Sequence, residues 1–285
     1  MNLNLFKNIK TIQISILSIT LFSLFNLAQA ADTADLSNTS AGFPACIPVI
    51  NSKNLDNSTF WYNQSAEKKA IYKEIYLMAD GYIQYWVKQN HPKPDSWGIV
   101  LDIDETTLDN AWFSAECRND LSNEDNFEHY VSIPAESKAL PGVVHLTHLV
   151  HSLGGYVSFV SNRDGSYSDK SGSVLISTVN DLKAQDVYFD QVVLSNYKNN
   201  KTPSDKNPRF QAVINNHYDK NLMVWTNTLP AHQVIAYFGD NIQDFPKLTQ
   251  AKTHNLNWDN AAFSLFGRGY FIFPNPMYGS WEGIK

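Results

Sequence analysis

Short apolar runs, each about one strand long, recur along this chain with helical patterns between them. The runs are Trp97-Gly98-Ile99-Val100-Leu101, Tyr156 to Ser161, Val192 to Ser195, Val234 to Gly239 and Tyr270 to Phe273. A strand covered on both faces carries apolar side chains at nearly every position, because neither face meets water. Helical periodicity falls at roughly 142–153, 172–185, 208–218 and 243–251. Strands alternating with helices predict an α/β fold, a Rossmannoid parallel sheet with helices on both faces. Ahead of the first strand, Ser65 reads as an N-cap for a helix to about Asn90, with Ile71, Ile75, Met78 and Tyr82 on one stripe. His91-Pro92-Lys93-Pro94 ends that helix. Thr107 to Leu140 is too long for a simple crossover and is expected to form a smaller, mainly helical cap inserted at about 107–140.

The first thirty residues read as an address. Met1 to Lys10 holds two lysines and no acid, Thr11 to Leu27 is mostly apolar, and Ala28-Gln29-Ala30 places small residues where a signal peptidase reads. Residues 1–30 are therefore expected to be a cleaved signal peptide. The apolar stretch is about seventeen residues long, at the short limit for spanning a bilayer, and polar residues interrupt it. No cysteine follows it directly, so lipid attachment there is not expected and the mature chain has no membrane anchor. Residues 31–60, rich in Ser, Asn, Pro and Thr, read as an extended arm before a domain at 61–285. The 43% hydrophobic and 18% charged content excludes a disordered protein. Net charge is −6, and loss of Lys7 and Lys10 leaves 20 basic and 28 acidic residues, a net of −8. With no basic run, a nucleic-acid duplex is not a partner. Cys46 and Cys117 are the only cysteines, and either one disulfide or two separate thiols fits them. Neither has a histidine at catalytic spacing.

In doubly wound folds ligands bind beyond the carboxyl ends of the strands. Those ends carry Asp102 and Asp104, then Ser161-Asn162-Arg163-Asp164, then Gly239-Asp240-Asn241-Ile242-Gln243-Asp244, with Lys198, Lys201 and Lys206 between the last two. Carboxylates from distant strands repel one another unless a cation sits among them, and oxygen-only ligands at an open site suit Mg²⁺. The same cation would offset the charge of an incoming phosphate, so the collection describes phosphoryl transfer. Asp109 and Asp164 read as loop or capping acids. Arg163 either contacts phosphate or pairs with Asp164. His145, His148 and His151 read as a solvated helix face rather than a transition-metal site.

Asp102-Ile103-Asp104-Glu105-Thr106 resembles the DxDxT signature of the haloacid dehalogenase (HAD) superfamily, whose second Asp marks the phosphatase branch. The longer run to Asn110 resembles the class C (nonspecific) bacterial acid phosphatases, some of them 5′-nucleotidases. So do Leu140-Pro141-Gly142, Val160-Ser161-Asn162-Arg163, Gly239 to Phe245, and Asn275-Pro276-Met277-Tyr278-Gly279-Ser280-Trp281-Glu282-Gly283. These blocks stand in order from about residue 60 to the C-terminus.

The resemblance implies a HAD-like fold and an exported, Mg²⁺-dependent acid phosphatase. Asp102 would be the nucleophile forming an aspartyl-phosphate, and Asp104 the general acid and base. The side chains of Asp102 and Asp240 with the Asp104 carbonyl would hold Mg²⁺, and Asp244 would complete the acidic shell. Ser161, Asn162 and Arg163 would meet the phosphate. Lys206, opening Lys206-Asn207-Pro208-Arg209, fits the family's phosphate lysine, with Lys201 as the alternative. Family members often hydrolyse nucleoside monophosphates with the base between aromatic rings. Phe127 and Tyr278 occupy the matching positions, and Trp112 is a further candidate contact in the insertion. The tail 270–285 would return to the site. The implied product is a soluble periplasmic or secreted enzyme acting on a small phosphomonoester, with a homodimer common among relatives. A phosphotransferase using the same nucleophile and a catalytically weak storage or binding protein are the rival readings.

Overall fold

The computed structural model describes residues 55–111, 113, 124–133, 137–170 and 172–284. The expected signal peptide, most of the arm, Cys46, Cys117 and Trp112 lie outside the described residues. The expected arm stops short of residue 60, because helix α1 (Asn57–Gln64) begins where the Asp56 carboxylate accepts the Thr59 N–H at 2.7 Å. Helix α2 (Ala66–Asn90) follows at once, with the Ser65 hydroxyl accepting the Lys68 N–H at 3.1 Å. His91 closes α2 in the left-handed region, φ 46°, ahead of the two prolines.

Strand β1 (Trp97–Leu101) is buried along its whole length, and β2 (Leu108–Asp109) opens the insertion. Helix α3 (Glu124–Val131) lies within the insertion, and β3 (Lys138–Ala139) pairs antiparallel with β2 to close its root. Then come α4 (Val143–Ser152), β4 (Tyr156–Asp164), α5 (Val174–Ala184), β5 (Gln191–Ser195), α6 (Asn207–Asn215), β6 (Met223–Trp225) and β7 (Gln233–Gly239). A 3-10 turn over Ile242–Asp244, α7 (Gln250–Thr253) and β8 (Tyr270–Ile272) complete the order.

The main sheet runs β6-β5-β4-β1-β7-β8. Its strands are parallel except β6, which pairs antiparallel with β5 at the edge, so the sheet is mixed rather than wholly parallel. Ile99 and Leu101 of β1 enter the larger core with α2 and α4, while Val100 enters the smaller core with Phe210, Val213 and Phe245. Alternation of Cβ direction along one strand thus feeds both faces. The helix expected at 243–251 is instead a 3-10 turn and the short α7. Pro246 divides them by forcing Phe245 into extended backbone, φ −114° and ψ 135°.

The buried stripe of α2 is Tyr72, Tyr76, Ala79 and Ile83, one position on from the expected stripe. Ile71, Ile75 and Tyr82 are only partly covered and Met78 is exposed. Aromatic packing decides this. Tyr72 stacks on Phe273 with centroids 4.8 Å apart, and Tyr76 meets both Phe273 and Phe238. Each such pair adds about 0.5–1.5 kcal/mol beyond the area it buries. Among the described residues no helix is long and apolar enough to cross a membrane.

Candidate active site

The polypeptide turns back on itself directly after β1. The Asp102 N–H still belongs to the sheet, donating to the Phe238 carbonyl at 2.9 Å. Beyond it the Thr107 hydroxyl donates to the Asp102 carbonyl at 2.7 Å, and the Thr107 and Leu108 amides both reach the Ile103 carbonyl at 2.8 Å. Glu105 sits at φ 53°, a conformation that costs a non-glycine residue energy and persists only when its surroundings enforce it. Here the enforcement is visible. The Tyr72 hydroxyl donates to the Glu105 carbonyl, the Tyr76 hydroxyl to the Thr106 carbonyl at 2.7 Å, and Glu105 Oε1 accepts the Asn110 N–H at 2.8 Å. Burial pushes the Glu105 carboxyl well above the usual carboxylate range. Helix α2 therefore splints the turn that presents Asp102 and Asp104.

Around that turn the strand ends converge. Lys206, at the start of α6, is 3% exposed and places its Nζ on Asp102 Oδ1 and, at 2.6 Å, on Asp244 Oδ1. Burial works against the ammonium charge, but the two carboxylates more than offset it and raise the Lys206 pKa above its ordinary value. Burial, then the neighbouring Asp244, Asp240 and Asp104, push the Asp102 carboxyl up, and Lys206 opposes them. Lys201, the alternative, is exposed. Asp240, at the end of β7, accepts from Asn275 Nδ2 at 2.9 Å and from the Thr106 hydroxyl at 3.3 Å. Burial and Asp244 push its carboxyl up to about 7. Asp244 accepts the Asn241 N–H at 2.9 Å through its second oxygen.

One oxygen from each of Asp102, Asp240 and Asp244 lies within 4.8 Å of the others. These are hard oxygen donors, and their negative charges are met by a single lysine, so the residues fit a divalent cation such as HAD phosphatases use. Gly239 makes the arrangement possible, since a Cβ there would lie 2.2 Å from the Asp244 Cβ.

Asp104 points the other way. Arg163 holds it with Nε at 3.0 Å and Nη2 at 2.7 Å from Oδ1, and Asn110 Nδ2 donates to the same oxygen at 2.6 Å. Arg163 is fully buried, and its remaining Nη1 donates to Thr178 at 2.9 Å. It pairs with Asp104 and not with Asp164, and it also stands in the lining of the pocket. Asp164 instead accepts from the Ser166 and Tyr197 amides, and Asp109 from Lys68 at 2.6 Å. The Ser161 hydroxyl accepts the Arg163 N–H at 3.1 Å and lies 3.4 Å from Asp104 Oδ2. Asn162 lines the pocket with its Oδ1 on Arg209.

The pocket has a volume of about 440 Å³, with Asp102, Asp104, Asp240 and Lys206 in its lining. Its far wall is aromatic. Phe127 and Tyr278 both line it, and Phe127 packs edge-on against Phe113, which in turn stacks on Tyr130 with centroids 4.9 Å apart. Glu128, also in the wall, accepts the Asp164 N–H at 2.9 Å through Oε1, while its buried Oε2 has no hydrogen-bond partner among the described residues. Burial pushes the Glu128 carboxyl up to about 8. No local pattern marks this residue, which stands between Phe127 and His129 on a short helix. The histidines of α4 disperse as expected of a surface face. His145 meets Asp80 at 3.1 Å, His148 meets Asp186, and His151 stacks on Tyr188.

The family model for HAD superfamily, subfamily IIIB (acid phosphatase) matches residues 30–281. The class C acid phosphatase from Bacillus anthracis is similar in structure, with a TM-score of 0.61 and 25% identity over 79% of this chain and 85% of that one. A structure of the Bacillus anthracis enzyme with tungstate bound gives a TM-score of 0.60 at 24% identity over the same shares, a likeness of fold. The family model, which spans most of the chain, and the structural likeness lead to one conclusion: the chain belongs to the acid phosphatase family of the HAD superfamily, subfamily IIIB, and is a phosphoric monoester hydrolase.

Proposed function

We propose that the protein is an exported, soluble, Mg²⁺-dependent acid phosphatase that hydrolyses small phosphomonoesters, nucleoside 5′-monophosphates among them. The observation that carries this reading is Lys206 bridging Asp102 and Asp244 beside Asp240, with Asp104 held apart from them by Arg163. Asp102 attacks phosphorus in line, and its carboxylate forms an aspartyl-phosphate as the bond to the leaving oxygen breaks. Asp104 gives that oxygen its proton, then takes one from the water that attacks the aspartyl-phosphate, releasing phosphate and restoring Asp102. Asp102, Asp240 and Asp244, with the Asp104 carbonyl, would hold Mg²⁺, which would supply positive charge to offset that of the phosphoryl oxygens. Lys206, Ser161 and Asn162 bind those oxygens from the protein side.

Phe127 and Tyr278 clamp the leaving group. Stacking on an aromatic ring is worth roughly 1–3 kcal/mol per base and tolerates different bases, which suits a broad nucleotidase. The test is phosphate release by the mature protein from nucleoside monophosphates and an aryl phosphate, across pH 4–8, with and without Mg²⁺, beside Asp102→Asn. Metal-dependent release that vanishes in the variant supports the nucleophilic mechanism. Undiminished release by folded Asp102→Asn overturns it. A tighter KM for nucleotides than for the aryl ester, lost in Phe127→Ala and Tyr278→Ala, supports the clamp. Recovery of chain beginning at Ala31 outside the cytoplasm tests export.

A further inference from the structure

Arg209, on the first turn of α6, is fully buried, yet no carboxylate among the described residues lies within ion-pair distance of it. Its guanidinium is spent on neutral oxygens. Nη1 and Nη2 both donate to the Pro203 carbonyl at 3.1 Å, and Nη2 also donates to Asn162 Oδ1, while Nε has no partner among the described residues. Burial lowers its pKa to about 10, well above the working pH of an acid phosphatase, so the group stays charged. A buried guanidinium without a direct ion-pair partner is costly, and the more distant charges of Asp205, Asp102 and Asp244 only partly offset its burial.

The chemistry of the contact gives the group a role. A guanidinium carries only donors, so the end of the Asn162 amide that faces it must be the oxygen. The two N–H bonds of Nδ2 are then left for the other side, and Asn162 lines the active-site pocket. Without Arg209 the amide is free to turn its oxygen toward an anion. We infer that Arg209 is a positioning residue that locks the Asn162 amide with its donor end toward the substrate phosphate. Through the Pro203 carbonyl the same guanidinium steadies the segment leading to Lys206, so one buried side chain aligns two phosphate-facing groups from separate parts of the chain. The inference rests on the proposed role of Asn162 as a phosphate ligand.

The experiment measures KM for an aryl phosphate and Ki for inorganic phosphate in Asn162→Ala, Asn162→Asp, Arg209→Lys, Arg209→Met and the double variant Arg209→Met/Asn162→Ala, each checked by thermal melting. Loss of one charge-assisted hydrogen bond is expected to weaken phosphate binding about tenfold or more in Asn162→Ala and in Arg209→Met. The double variant is expected to be no weaker than the worse single one. Asn162→Asp is expected to bind phosphate more weakly than Asn162→Ala, because one oxygen stays on Arg209 and the other faces the anion. Arg209→Lys, which keeps the charge and loses the fork, should fall between wild type and Arg209→Met. Full additivity in the double variant overturns the inference and leaves Asn162 as a ligand. An unchanged Ki in Asn162→Ala overturns the role of Asn162 itself, and the inference with it. Should Arg209→Met fail to fold, the comparison of Asn162→Asp with Asn162→Ala decides, and equal or tighter phosphate binding by the Asp variant overturns the inference.

Discussion

Arg163 grips Asp104 by two nitrogens, Nε at 3.0 Å and Nη2 at 2.7 Å from the same carboxylate oxygen. In the proposed mechanism Asp104 is the general acid, which works only if its proton is aimed at the leaving oxygen, and this fork would fix the aim. Arg163→Lys keeps the charge but not the fork. Its kcat is expected to fall on the order of 10²-fold for alkyl phosphates, the scale of general-acid catalysis. For p-nitrophenyl phosphate, whose leaving group needs no proton, the fall should be much smaller. Measuring both substrates checks this, and equal losses would speak against aiming.

Divalent cation is expected to stabilise the fold as well as support turnover. Asp102, Asp240 and Asp244 crowd their oxygens within 4.8 Å against one lysine. At a hundredfold excess of Mg²⁺ over its Kd, binding adds about 2.7 kcal/mol, or about 5–10 °C in Tm for a chain this size. Asp240→Asn should abolish the shift, and chelation should remove activity. A Tm indifferent to Mg²⁺ in wild type would contradict the site.

Glu128 gives the protein a pH signature of its own. Its carboxyl is raised by burial from 4.5 to about 8. Below pH 4.5 both folded and unfolded chains hold the proton, so stability is unaffected. Between 4.5 and about 8 the unfolded chain releases the proton and the folded chain keeps it, so stability falls as pH rises. The full shift amounts to a few kcal/mol at the order-of-magnitude level. Denaturant unfolding across pH 4–9 should show this decline in wild type and a flatter profile in Glu128→Gln. The same variant should retain its KM above pH 8, where an ionised Glu128 in the wall of the pocket repels phosphate.

Gly239→Ala tests how closely β7 approaches the acidic cluster. The added Cβ would fall 2.2 Å from the Asp244 Cβ and 2.4 Å from its Oδ2. Asp244 must move, and with it the contacts to Lys206 and the Asn241 amide. We expect at least a tenfold loss in metal affinity with a lowered Tm, since outer ligand geometry commonly carries 10- to 100-fold. Metal titration by calorimetry reads it directly, and wild-type affinity would show that the cluster tolerates the displacement.

The strand ends were legible because a doubly buried strand is apolar throughout and its abrupt stop at Asp102 or Asp240 shows in the sequence. Strand β6 was not, since Met223–Trp225 is too short to carry a pattern. The core stripe of α2 was misplaced by one residue because aliphatic side chains look more buried than tyrosines. Tyr72 and Tyr76 become core residues only through the carbonyls of Glu105 and Thr106, which local pattern does not reveal. Arg163 could not be assigned from its neighbour either. Adjacent residues on β4 point to opposite faces, so Asp164 was the wrong partner by geometry, and the right one lies 59 positions away. Buried partners far apart in sequence, Arg209 with Asn162 at 47 positions among them, leave no local trace.

The insertion leaves and re-enters the domain through a double fastening. Leu108 and Asp109 pair with Ala139 and Lys138, and the Ser137 hydroxyl donates at 2.7 Å to Asn110, whose other amide end holds Asp104. Helix α3 stands between these fastenings and still reaches the site, since Phe127 and Glu128 line the pocket. The Asp104 carboxylate stays fastened by Arg163 and Asn110 when that lining changes. In terms of inheritance, a residue that only lines the pocket is open to exchange, and randomising position 127 is expected to alter selectivity more often than it abolishes activity.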